Sequence, residues 1–446
     1  IIGSYRDKEI SGQLIGLDAE TYIRTFNALY EDEAILPHAE TLLLDEAHLF
    51  SDSMESVFSS SQALSTSARI ARAAGNSKSV SVINALSDHL AGRSRDGRAL
   101  FLTDKSGATA RKIQQYAGIL TQLGKSKSKK ADDRMKRLCR EHGAAISRWL
   151  RTTRAERMDV RYSPSKHHPS ICVRPTSLKR PFGVLWESYN KVGLFSATLY
   201  VPGAGGGMSS RFIRNLLQLP QHRTREFPPI QPSWVTDPVC MHWVDPKDKA
   251  SASLYPPSES SESDTESNAA WHQAIADNLT KIARYAKGGT LILCPSYRTA
   301  SRLGDLLRSS LGGRLLVSQS NETFSALKEK FLHSNRPVWI STGKAWTGID
   351  LTDHACEAIK DMTLTDLVIP RLPLAPPSGN VADIHVNREK SALKFKQGIG
   401  RLVRREGVTG RQLWILDPRI HETKNVVFAR QLNNYRGHRR LYIQTA

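Results

Sequence analysis

The 446-residue chain lacks cysteine pairs, long apolar runs and an acidic complement to its basic residues. Its five cysteines, Cys139, Cys172, Cys240, Cys294 and Cys356, include no two within thirty positions of each other, so no local CxxC metal or redox pair forms. Scattered thiols of this kind suit a reducing cytoplasm. No run of about 18 apolar residues occurs, which excludes a membrane-spanning helix on the sequence pattern. The chain opens Ile1-Ile2-Gly3-Ser4, without Met and without the basic-then-apolar pattern of a secretory signal. Against 63 Lys and Arg stand only 43 Asp and Glu, a net charge of +20. Such a surplus repels itself unless a polyanion offsets it. Nucleic acid is therefore the expected partner, and no amphipathic anchor supports a membrane surface instead.

What is present describes a soluble protein of two or three domains, 39% hydrophobic and 24% charged. The run Thr41 to Leu44 ends at Asp45-Glu46-Ala47-His48, the pattern of a buried parallel strand with ligands at its C-terminal edge. Residues 51–185 then read as helices, with Met135, Leu138, Ile146, Trp149 and Leu150 at helical spacing. Strand character returns near Val192 to Phe195, so residues 1–50 and 186–208 are expected to belong to one α/β domain interrupted by a helical insertion. Residues 203–207 are glycine-rich, and 256–268 form a Ser- and acid-rich stretch expected to be a disordered loop. Within 209–446, strands are predicted at 290–294, 315–317, 338–340, 367–369 and 413–416, with helices at 299–311 and 323–333. That alternation predicts a doubly wound parallel α/β domain.

Several short motifs carry chemistry. Adjacent carboxylates after an apolar strand can divide the tasks of phosphoryl transfer: Asp45 holding a Mg²⁺ shell, with Glu46 beside it, and Glu46 positioning water. His48 would link this pair to neighbouring motifs. Ser196-Ala197-Thr198, again after an apolar run, supplies two hydroxyls for a coupling relay. Gln397, Gly400, Arg401 and Arg404 form a QxxGRxxR pattern that on a helix would turn Gln397, Arg401 and Arg404 one way, two forked guanidiniums suited to a polyphosphate. Ser341 to Asp350 contains Thr-Gly-Lys but is a poor phosphate loop, because Ala345 stands where a Mg²⁺-binding hydroxyl belongs. It reads better with Gly348 and Asp350 near a nucleotide and Lys344 or Trp346 near a nucleic-acid track; Trp346 reads equally well as a core aromatic. Tyr297 and Arg298 are candidates for base stacking and phosphate contact, or an ordinary surface pair opening a helix.

In this order the motifs resemble the DinG/XPD-type helicases of superfamily 2. The resemblance rests on Asp45-Glu46-Ala47-His48, the insertion, Ser196-Ala197-Thr198, Cys294 to Arg298, Gly348-Ile349-Asp350, Leu367 to Leu374, Gln397 to Arg404, and Leu416 to Arg419. It implies two RecA-like motor domains, the first incomplete, with an arch-like helical insertion. It implies ATP and Mg²⁺ as cofactors and 5′-to-3′ movement on single-stranded DNA; the residues alone leave RNA or an RNA–DNA hybrid open. It extends to the DinG proteins of type IV CRISPR systems, whose partner would be a CRISPR ribonucleoprotein. Thr347 departs from the family, which usually has Glu there. The family's iron–sulfur cysteines lie upstream of its acidic motif, and these residues are expected to hold no iron–sulfur cluster of their own. The phosphate-cradling loop also precedes that motif in the family. Since Gly124-Lys125 and Gly343-Lys344 are the only Gly-Lys pairs, it is expected N-terminal to these residues. The contrasting reading is an inactive helicase-fold subunit that clamps nucleic acid; retention of Asp45, Glu46, Arg401 and Arg404 argues against it.

The insertion is strongly basic: residues 121–180 contain 17 Lys and Arg against 5 Asp and Glu. Arg148, Arg151 and Arg154 can share one helical face, a surface for phosphate contacts. Replacing all three with Ala is expected to weaken single-stranded DNA binding. The log–log salt slope should flatten by up to about 2–3 units, with sequence preference unchanged. Titrations across a salt series measure it, and an unaltered slope returns this helix to an ordinary solvated surface.

Overall fold

Short apolar runs closed by polar residues become parallel strands in both halves of the chain. The computed structural model describes residues 17–25, 39–94, 100–102, 105–126, 132–151, 158–164, 168–202, 207–230, 239–257, 266–318, 322–347, 351, 363–375, 381–402, 410–432 and 439–443. They fall into two units, 1–199 with 213–225, and 200–212 with 226–446.

In the first unit α1 (Ala19–Thr25) precedes β1 (Thr41–Leu44), and α2 (Phe50–Phe58) follows it. A second layer then builds from β2 (Ser60–Ala63), α3 (Leu64–Ala73), α4 (Ser77–Arg93), β3 (Leu100–Leu102), α5 (Ala108–Gly124), α6 (Asp133–Arg151), β4 (Met158–Ser163) and β5 (Ser170–Pro175). α7 (Lys179–Glu187) leads to β6 (Lys191–Leu194), which pairs in parallel with β1. The insertion is thus not purely helical, a correction to the sequence expectation. Its four short strands form an antiparallel sheet in the order β2-β5-β4-β3. Val160 and Tyr162 of β4 face Val173 and Ile171 of β5, and all four are buried. α3 to α6 cover this face, with Ile113, Tyr116, Leu120, Ile146 and Trp149 in the shared core.

The chain crosses to the second unit at Leu199–Tyr200 and continues through β7 (Val201–Pro202), β8 (Met208–Ser209) and α8 (Arg211–Leu216), whose later residues return to the first unit. The second unit then alternates: β9 (Cys240–Val244), α9 (Glu266–Tyr285), β10 (Gly289–Leu293), α10 (Tyr297–Leu311), β11 (Leu315–Val317), α11 (Phe324–His333), β12 (Val338–Ser341), α12 (Lys344–Thr347), β13 (Leu364–Ile369), α13 (Val381–Ile399), β14 (Gln412–Ile415), α14 (Val426–Leu432) and β15 (Arg439–Ile443). Seven strands make one parallel sheet, ordered β11-β12-β10-β13-β14-β9-β15. Helices cover both faces, so the central strands are mostly apolar, and every residue of β10 and β12 is buried. α9 and α10 pack on one face through Ile275, Leu279, Leu303 and Leu307. Phe331, Trp346, Phe395 and Phe428 of α11 to α14 fill the other. The C-terminal carbonyls of α9 are capped by guanidiniums: Arg314 donates to Ala283 O at 3.0 Å and Arg336 to Arg284 O at 2.6 Å.

Inside the insertion His142 is 1% exposed. Its Nδ1 lies 2.8 Å from Ser60 Oγ, while Nε2 is buried with no hydrogen-bond partner among the described residues. An imidazolium would need a second acceptor there, and burial pushes the His142 pKa down to about 4. The unfolded chain, with a His pKa near 6.5, binds this proton first. Neutral His142 therefore stabilises the fold fully above about pH 6.5, and that contribution is lost as pH falls toward 4. The loss is on the order of 3 kcal/mol. Chemical denaturation at a series of pH values should show a steeper acid loss in wild type than in His142→Gln; identical slopes would contradict it.

Candidate functional site

In the first unit Leu44 of β1 pairs with Leu194 of β6, so the residues after both strands emerge at one edge. The ladder runs one step further: Phe195 N–H donates to Leu44 O at 2.9 Å and Ala47 N–H to Phe195 O at 3.0 Å. This register brings Asp45, Glu46 and His48 to Ser196 and Thr198, 150 residues later for the Glu46–Ser196 pair. Ser196 Oγ is the centre of the cluster. It donates to Glu46 Oε2 at 2.8 Å, lies 2.9 Å from both His48 Nδ1 and Thr198 Oγ1, and accepts Thr198 N–H at 3.1 Å. A serine hydroxyl has a single proton. With that proton on Glu46, His48 Nδ1 must itself be a donor, shared with Glu46 Oε2 at 3.3 Å. His48 and Thr198 are buried, whereas Asp45 and Glu46 are exposed.

Glu46 has φ of 47°, the left-handed region that costs a side-chain-bearing residue on the order of 1 kcal/mol. Its amide donates to Asp45 Oδ1 at 2.8 Å, which orients that carboxylate. An exposed carboxylate at a strand end, with a second beside it, fits Mg²⁺, which takes one or two protein carboxylates and fills its shell with water and phosphate oxygens.

In the second unit β10 and β12 pair with Leu293 opposite Ser341, and Cys294 N–H donates to Ser341 O at 2.8 Å. Tyr297 opens α10, whose N-cap Ser296 accepts the Thr299 amide. Gly343 adopts a φ of +58°, and a Cβ there would lie 3.4 Å from the Tyr297 hydroxyl. The turn carrying Lys344 therefore touches the tip of Tyr297. Tyr297, Arg298 and Lys344 are all exposed, an aromatic and two cations at one sheet edge.

Trp346 is different. It is completely buried, and its Nε1 donates to Cys294 O at 2.9 Å. A Cβ on Gly398 would lie 2.7 Å from its ring, and Lys394 Nζ sits 5.5 Å from the ring centroid. The assignment of Trp346 to a nucleic-acid track is corrected: one turn of helix exposes Lys344 and drives Trp346 into the core.

A second correction concerns Gln397 and Arg401. α13 ends at Ile399, and the chain tightens there, with Arg401 N–H bonded to Gly398 O and Leu402 N–H to Ile399 O. Gly400 and Arg401 lie in this turn, so the helical face drawn through Gln397 and Arg401 is not continuous. Two glycines in four residues weaken the helix where sequence spacing assumed it persisted. Arg404, Gly348, Asp350 and Arg154 lie outside the described residues. Arg148 and Arg151 are exposed in the last turn of α6.

Lys396 escaped the sequence reading. Its Nζ donates to Tyr200 O at 3.1 Å, and burial pushes its ammonium down to about 8. The Tyr200 hydroxyl bonds Phe227 O in turn. Lys396 thus ties the helix of Gln397 to the segment where the chain enters the second unit. Its place between Phe395 and Gln397 was the available signal.

The contrast between Trp346 and Tyr297 is measurable. Trp346→Ala is expected to cost about 3–5 kcal/mol of stability. Tyr297→Ala should leave stability within about 0.5 kcal/mol and weaken single-stranded DNA binding by about 1–3 kcal/mol. Denaturation and binding titrations on both variants separate the roles.

Comparison with known proteins agrees with this architecture. The family model of a helicase C-terminal domain matches residues 279–434. A solved XPD helicase superposes with a TM-score of 0.56 at 16% identity, over 95% of this chain and 72% of that one. An apo XPD structure gives 0.56 at 16% identity, over 95% and 81%. Xpd4 of S. tokodaii gives 0.52 at 13% identity, over 95% and 81%. No curated protein matches in sequence. Residues 279–434 match the helicase C-terminal domain model, and the chain shares the RecA-like fold of these XPD structures.

Proposed function

We propose that the protein is an ATP-dependent DNA helicase that moves 5′-to-3′ on single-stranded DNA and opens duplexes or R-loops, serving a type IV CRISPR ribonucleoprotein. The observation that carries the reading is the Ser196 hydroxyl bonded to Glu46 inside a network with His48 and Thr198. A solvated acidic turn has no reason to bury a His and a Thr behind its carboxylate or to hold that carboxylate at positive φ. A hydrolytic site does, because the water-positioning group must be fixed before reaction.

Asp45 would hold the shell of Mg²⁺, which when bound neutralises charge on the transferred phosphoryl group. Glu46 would orient the attacking water and accept its proton. Ser196 keeps the Glu46 carboxylate aimed, and His48 supplies a second donor to the same oxygen. Thr198 joins this cluster two residues before Tyr200, whose carbonyl Lys396 holds. A change in the Glu46 hydrogen bonds therefore has a short covalent route to the start of the second unit. Arg401 would meet the phosphates as a charge-stabilising finger, and Tyr297, Arg298 and Lys344 would take the DNA.

Glu46→Gln keeps the shape of the side chain and removes the base. ATP turnover stimulated by single-stranded DNA is expected to fall at least about 10²-fold, while nucleotide binding is retained. Phosphate release and nucleotide-binding titrations measure the two effects. Turnover at the wild-type rate would remove Glu46 from the mechanism.

A further inference from the structure

α9 and α10 lie side by side on one face of the parallel sheet, burying Ile275, Leu279, Leu303 and Leu307 beneath them. Their outer sides, with the short 3₁₀ segment Lys249–Leu254, enclose a groove of about 890 Å³. Its wall carries Lys249, Lys281 and Arg284 beside Asn278, Ser309 and Ser310. None of the three cations forms an ion pair among the described residues. The groove's carboxylate, Asp277, accepts Gln273 Nε2 at 2.8 Å instead. Three cations round one concave space repel each other, and an anionic ligand removes that cost.

An aromatic stands next in the chain to the lining residue Arg284. Tyr285 is 83% exposed and stands one helical turn beyond Lys281, on the same side of α9. A large exposed ring beside uncompensated cations is the arrangement that stacks a base while its phosphates are held. Ser310 Oγ and Asn278 Nδ2 donate to Leu307 O and Ala274 O, which leaves the Ser309 hydroxyl as the neutral donor the wall offers to a ligand.

This groove is not the edge that carries Tyr297, Arg298 and Lys344. Tyr285 precedes β10, whereas Tyr297 follows it, so the two lie toward opposite ends of the same strand. Along α10, Tyr297 and Ser310 are separated by the length of the helix, about 20 Å.

We propose that the groove between the outer sides of α9 and α10 binds the phosphodiester backbone of a single-stranded nucleic acid, with Tyr285 stacking on a base, as a second site remote from Tyr297. Binding in this groove requires charge and shape alone and no ATP hydrolysis. A strand held here while another segment occupies the Tyr297 edge would be gripped at two points, so binding should strengthen with oligonucleotide length.

A photo-crosslinking residue, p-benzoylphenylalanine, placed at Ser309 of the full chain tests it directly. The probes are an oligothymidine and an oligouridine of about 12 nucleotides. Crosslinking of either supports the site, and whichever reacts identifies DNA or RNA as the source of the backbone. The crosslink should persist in Tyr297→Ala and be lost in Lys249→Ala/Lys281→Ala/Arg284→Ala. The same triple variant should reduce the log–log salt slope of binding by about 2. No crosslink to either probe would overturn the proposal. A crosslink abolished by Tyr297→Ala would overturn the claim of a separate site. Thermal melting of the triple variant confirms that it is folded.

Discussion

A parallel strand pair delivers the residues that follow both strands to a single edge, and the chemistry of this molecule depends on that constraint. β1 and β6 are far apart in the sequence, yet their register sets Glu46 beside Ser196. β10 and β12 do the same for Tyr297 and the Gly343 turn. The interiors of β10 and β12 are almost wholly apolar, so the polar chemistry of these pairs lies in the residues just beyond the strand ends. Slipping either pair by one residue would turn the side chains to the opposite face and scatter both clusters.

Holding those residues in place requires local concessions from the backbone and the core. Glu46 accepts positive φ so that its carboxylate can face Ser196 while its amide binds Asp45. Gly343 turns the chain left-handed, which lets Lys344 leave the sheet edge while Trp346 returns to the interior. Trp346 then braces Cys294 from below and packs against Gly398, where any side chain would collide with the ring. One buried indole thus joins the end of β10, the Lys344 turn and the helix of Gln397. Its packing keeps the Tyr297 and Lys344 turns in place.

Much of this was legible in the sequence. The strands anticipated at 290–294, 315–317 and 338–340 appear at Gly289–Leu293, Leu315–Val317 and Val338–Ser341, because uninterrupted apolar runs between polar turns have few other ways to be buried. The charge and hydroxyl motifs marked the Glu46–Ser196 cluster for the same reason: polar groups directly after an apolar strand emerge at its edge. Other features were hidden by competing signals. The insertion strands β4 and β5 alternate through Val160 and Tyr162, and Ile171 and Val173, but the longer helical periodicity around them dominated the reading. β9, sequence CMHWV, and β15, sequence RRLYI, mix charge or histidine with apolar residues, as strands near a sheet edge can. Trp346 was ambiguous because an indole suits a core and a base equally well, and only the direction of a one-turn helix decides between them.

The distribution of charge completes the argument. A net charge of +20 is too large to arise from one short binding track. Part of it lies on three surfaces of the described residues: the exposed arginines ending α6, the Tyr297–Lys344 edge and the outer side of α9. Each lies on a separate element, so their salt dependences should be separable by mutation even though they add in the intact protein. Under the proposed function, a motor that must release its strand at every step cannot rely on a single very tight site. Several modest phosphate contacts, each worth little and made or broken independently, hold a moving polymer better than one strong contact. That requirement gives a physical reason for so basic a chain to spread its cations over several elements.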